Sequence, residues 1–147
     1  MNAVMLIMDT AERRDPNAVN ELLPSGTQMA RQKKKLSPEQ KAAKKKRQEE
    51  YMTVVETGRG LWGSPDLGTN GVACGQCHPN AANSHPETYP KFQQQLGRVI
   101  ALRDMINWCL QNPLEGETLK LDDPRMIAIE AYVAYERRGV KMAPGKH

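Results

Sequence analysis

The tightest constraint in this chain is the run Cys74-Gly75-Gln76-Cys77-His78. Cysteines at i and i+3 share one face of a helix, and the next residue lies a fraction of a turn further on. Two thiols so placed can reach the two vinyl groups on one edge of a porphyrin, while the imidazole falls beneath the ring and offers a nitrogen to iron. Spacing and order are both required, so the motif is a specific signal for one covalently bound haem on Cys74, Cys77 and His78. A thioredoxin-like redox pair would want a βαβ setting, and a zinc site would want a second Cys or His pair. The sequence offers neither.

The chain has 147 residues, enough for one compact domain and not comfortably for two. Aromatic residues make up only 5%, with a single Phe, so a buried cofactor would occupy volume that side chains leave unfilled. The net charge of +4 is a poor description of the whole. Nine Lys or Arg against one acid fall between Arg31 and Arg47, and the other residues carry 12 bases and 16 acids. The basic stretch suits docking to a redox partner or to a larger, membrane-associated redox complex. Nucleic acid is not expected, because no aromatic residues interleave with the bases.

No stretch approaches the roughly 18 apolar residues of a membrane span. Met1 to Met8 is too short, and lacks the basic flank, to be a signal peptide. Covalent haem attachment normally takes place outside the cytoplasm. The expected location is therefore the periplasm or another extracytoplasmic compartment, with a leader that is not among these residues.

Helix signals dominate. Ser37, Pro38 and Gln40 form a capping box that starts a helix reaching about Thr57, with Tyr51, Val54 and Val55 as its apolar patch and an end near Gly58 and Gly60. The haem motif sits on a short helix between two irregular segments. Residues 98–111 read as a helix with Val99, Leu102, Ile106, Cys109 and Leu110 on one face, stopped by Asn112-Pro113. Asp123-Pro124 opens the last helix, which runs to Gly139. No strand is evident. The fold class expected is all-α, a small helical domain (48–147) around one haem, preceded by a basic N-terminal arm (1–47) that acts as a docking or tether segment.

Residues 58–140 resemble class I c-type cytochromes, and residues 89–139 are similar to the haem domains of thiosulfate dehydrogenases and of the A-type subunit of the Sox sulfur-oxidation system. The resemblance rests on Tyr89-Pro90, Gly97-Arg98-Val99, Ile106-Asn107-x-Cys109, Gly116-x-x-Leu119, Asp123-Pro124-x-Met126, Ala131-Tyr132 and Arg138-Gly139. It implies that Cys109 is the second axial haem ligand, opposite His78. Methionine is the usual partner in class I cytochromes, so Met105, one turn before Cys109, Met126 and Met142 stay open as alternatives, with His85 behind them. Trp62 and Trp108 are expected mainly as packing residues.

The function expected is that of a monohaem carrier of single electrons between redox partner proteins, with no catalytic residue and hence not an enzyme. The alternative is an enzyme, or a catalytic subunit, of thiosulfate oxidation that uses a Cys/His-ligated haem.

Overall fold

In a computed structural model, residues 35–146 are described; residues 31–34 of the basic stretch lie outside them. Leu36–His147 cluster as one compact unit. The elements are α1 (Pro38–Gly63), α2 (Cys74–Cys77), β1 (Lys91–Gln93), β2 (Arg98–Ile100), α3 (Leu102–Gln111) and α4 (Pro124–Glu136), with short 3-10 turns between them. The expected small helical architecture is borne out. One two-stranded antiparallel hairpin, β1–β2, is added to it, with Phe92 opposite Val99.

α1 begins where its sequence says. Ser37 Oγ accepts from the Gln40 N–H, and the Gln40 side chain accepts from the Ser37 N–H. Residues 36–50 are exposed on every face, as an all-polar helix surface predicts. The boundary expected at 47/48 falls inside this continuous helix; what changes further along is burial. Tyr51 stays 41% exposed, and the inward stripe is Met52, Val55, Gly58 and Trp62. α1 also runs past the two expected stop glycines. Gly58 is buried where α4 crosses, and a Cβ there would collide with the Ala128 backbone. Its value lies in close approach, and the packing of Val55 and Trp62 outweighs its low helix propensity.

α4 starts on Asp123, whose carboxylate accepts from the Arg125 N–H at 2.8 Å. It buries Met126, Ile129, Tyr132 and Val133 against α1, and it ends at Glu136, three residues earlier than expected. α3 is shorter than expected at the other end. Arg98–Ile100 are strand, and the helix begins after Ala101, whose N–H donates to the Asp104 carboxylate at 2.9 Å. Val99 is accordingly 62% exposed on the hairpin and is not part of a helix face. Ile106 and Leu110 keep their buried places.

The loop from α3 to α4 is fastened by Asn107. Its Nδ2 donates to the Leu119 carbonyl at 2.9 Å, and its Oδ1 accepts from the Leu119 N–H at 2.8 Å. A side-chain amide thereby replaces a strand partner for a buried backbone pair.

Candidate haem site

The haem motif lies where the end of α1 meets α2. Trp62 at that end donates its indole N–H to the His78 carbonyl at 2.8 Å. The same carbonyl accepts from the Ala81 N–H at 3.0 Å. Gly75 allows this approach, since a Cβ there would stand 3.3 Å from the Trp62 carbonyl oxygen.

Beyond His78 the chain turns tightly. Asn80, Ala81, Asn83 and His85 all have positive φ, between 46° and 59°. Asn tolerates this region; Ala81 does so at a cost of about 1–2 kcal/mol. Its burial at 0% exposure and the Ser84 hydroxyl on its carbonyl, 2.6 Å away, hold it there. The turn brings the Ala82 carbonyl within 2.9 Å of His78 Nδ1. A carbonyl can only accept, so Nδ1 carries the proton and Nε2 is left with its lone pair free for a metal.

Cys74, Cys77 and His78 line one cleft of about 210 Å³ together with Met105, Cys109 and Trp62. Its mainly apolar walls and the donors set around them suit a flat, apolar cofactor held at its edge. All three cysteines are free thiols. Burial raises the Cys109 thiol to about 11, and the Cys74 and Cys77 sulfurs add to the shift. Burial likewise raises Cys74, with a smaller contribution from Cys77. Such a pocket opposes thiolate unless a cation shares it, which ligated iron would do. Among the described residues no three His, Cys, Asp or Glu side chains converge on a point, as a bare metal ion would require. The donors instead surround a space, and this set fits covalently held haem.

The second-ligand candidates separate clearly by position. Cys109 and Met105 both line the cleft, from successive turns of α3, and the Met105 sulfur accepts from Gln93 Nε2 at 3.1 Å. Met126 is fully buried in the α1–α4 core and is not among the cleft residues. Met142 is 63% exposed, and His85 is exposed and hydrogen bonded to Glu87. Trp62 both packs and lines the cleft, whereas Trp108 does not line it. Lys91 and Gln93, also in the wall, had no sequence signal, because a three-residue strand is too short to show its alternation.

The model of the SoxA/TsdA cytochrome c domain matches residues 57–142. Thiosulfate dehydrogenase of Allochromatium vinosum is 34% identical over 88 residues, covering 52% of this chain and 33% of that protein. The L-cysteine S-thiosulfotransferase subunit SoxA of Rhodovulum sulfidophilum is 30% identical over 95 residues, covering 63% and 33%. SoxXA from P. pantotrophus has the same fold, with a TM-score of 0.56 at 21% identity over 63% of this chain and 36% of that one. The chain thus spans about a third of the length of these curated relatives. One expectation is corrected here. The reading of a carrier that is not an enzyme conflicts with relatives that are named as enzymes, a dehydrogenase and a transferase subunit. A CxxCH motif reports haem attachment and does not by itself tell a carrier from an enzyme. The chain belongs to the SoxA/TsdA cytochrome c domain family, and its cofactor is covalently bound haem c.

Proposed function

We propose that this chain is the haem domain of an extracytoplasmic enzyme of sulfur-compound oxidation, with thiosulfate as the substrate class. In this reading Cys74 and Cys77 form the thioether links, His78 is one axial ligand and Cys109 the other. The observation that carries it is the presence of Cys109 in the same cleft as the CxxCH residues, in a family whose relatives are named for thiosulfate chemistry. When bound, the haem supplies a one-electron acceptor next to the substrate.

The chain's own residues supply the setting. The Ala82 carbonyl fixes the His78 ring through Nδ1–H and keeps Nε2 directed away from it. Trp62, Ile106 and Leu114 line the cleft with apolar surface. Burial and the neighbouring Cys74 and Cys77 sulfurs keep the proton on Cys109 Sγ, so taking up iron also releases that proton. The exposed, basic first half of α1, continuing the segment from Arg31, would dock or tether the domain within a larger redox complex.

The test is maturation with haem in a periplasm, followed by optical and electron paramagnetic resonance spectra and by addition of thiosulfate. A low-spin thiolate signal that Cys109→Ala abolishes, with thiosulfate reducing the haem, supports the proposal. A methionine–iron(III) band that Met105→Leu removes, with no response to thiosulfate, would overturn it.

A further inference from the structure

Among the described residues that line the haem cleft, Lys91 is the one Lys, Arg, Asp or Glu. Its place there follows from the pleat of β1. Lys91 and Gln93 point inward and are half-buried, while Phe92 between them points out and is 46% exposed. The strand is anchored by pairing Lys91 with Ile100, which is 2% exposed and lies two residues before α3. Two residues along the same face, Gln93 donates to Met105, one turn before Cys109 on α3. Lys91 therefore belongs to the wall on the Cys109 side.

The ammonium is positioned but not neutralised. It lies 4.8 Å from the centroid of the Tyr89 ring, itself a buried cleft residue. That contact holds the side chain over an aromatic face. None of the ion pairs among the described residues uses Lys91. Tyr89, Lys91 and Cys109 all line this one cleft. A cation facing a mostly apolar cleft with no carboxylate partner is a receptor for anionic oxygen.

We propose that Lys91 is the anion-pairing residue of the cleft, its ammonium holding a negatively charged oxygen beside Cys109. Two sources share that chemistry, the oxoanion end of a thiosulfate-type substrate and a propionate of the haem. The first rests on the function proposed above; the second requires only the haem. In either case Lys91 is a positioning residue, because it binds charge and makes or breaks no bond.

The experiment uses the haem-loaded full chain, with Lys91→Gln and Lys91→Arg variants checked for equal haem content. Thiosulfate is titrated into the oxidised protein at constant ionic strength, and the Soret perturbation is read at stopped-flow times, before haem reduction. The midpoint potential is measured against pH in parallel. If Lys91 holds the substrate oxoanion, Lys91→Gln weakens thiosulfate binding about tenfold, the usual worth of one charge-assisted hydrogen bond. Lys91→Arg restores most of it, and the pH profile of the potential does not move. If it holds a propionate, thiosulfate affinity is unchanged, and Lys91→Gln gives the potential a pH-dependent segment where the parent protein is flat. If Lys91→Gln alters neither the thiosulfate affinity nor the pH profile of the potential, the proposal is overturned. A parent protein that gives no thiosulfate perturbation defeats the proposed substrate instead, and the potential arm alone then decides Lys91.

Discussion

The indole N–H of Trp62 donates to the carbonyl of His78 at 2.8 Å, tying the end of α1 to the residue that closes the haem motif. Trp62 is 7% exposed, and its ring also packs on Tyr132 of α4 at 5.8 Å between centroids. One side chain therefore links the interhelical core to the haem-binding turn. Trp62→Phe keeps most of the packing and loses the donor. The His78 carbonyl retains its bond from Ala81, so the expected loss of stability is about 1 kcal/mol. Trp62→Ala adds a cavity and should cost about 3–5 kcal/mol. Denaturant unfolding of the haem-loaded protein checks both, and equal losses in the two variants would show that the hydrogen bond matters more than the ring.

A second anchor acts on the other side of the cleft. Asn107 satisfies both the N–H and the carbonyl of Leu119, a residue only 6% exposed. Asn107→Ala leaves both groups buried without a partner, at an expected cost of about 2–4 kcal/mol. Asn107→Asp keeps the acceptor and sets a carboxylate against a carbonyl, so it should rescue little. Hydrogen exchange at the Leu119 amide would report the loss directly: protection there should fall in both variants, while protection in α1 and α4 persists to the global limit.

Much of this architecture was legible in the chain, and what escaped did so for physical reasons. The capping box at Ser37 and the Asp123-Pro124 start are local devices, in which neighbouring residues satisfy one another, and local devices can be read from sequence. Gly58 shows the opposite case. Its propensity argues for an end to α1, and only the crossing of α4 explains why the helix continues. The β1–β2 hairpin escaped because three-residue strands carry no readable alternation, so Val99 passed for a helix position. At the candidate haem site, the CxxCH spacing is what singles out Cys74, Cys77 and His78. Other residues of the site carry no such mark: Ala82 holds the His78 ring through a backbone carbonyl, and Lys91 reaches the cleft wall by the register of a strand.

Acid sensitivity should trace to Glu87, which joins three segments of the domain. Its Oε1 accepts from Arg137 Nη2 at 3.2 Å and lies 3.1 Å from His85 Nδ1, and its own carbonyl accepts from the Ala143 N–H at 2.8 Å. Burial alone would raise this carboxyl, but the backbone N–H, His85 and Arg137 outweigh burial and hold it below its ordinary value of 4.5. A carboxyl whose value is lowered by folding stabilises the folded state fully above the unfolded value, and that contribution is lost as pH falls through the lowered one. Stability of the parent protein should therefore decline more steeply below about pH 4.5 than that of Glu87→Gln, which has no proton to take up. His85 is exposed and Arg137 partly so, and water screens the cluster from that side, so the difference between the two curves should be about 1 kcal/mol. Unfolding midpoints measured from pH 7 down to pH 3 check this, with the curves expected to converge on the acid side. Parallel curves across the whole range would mean that Glu87 holds the tail through its backbone carbonyl alone.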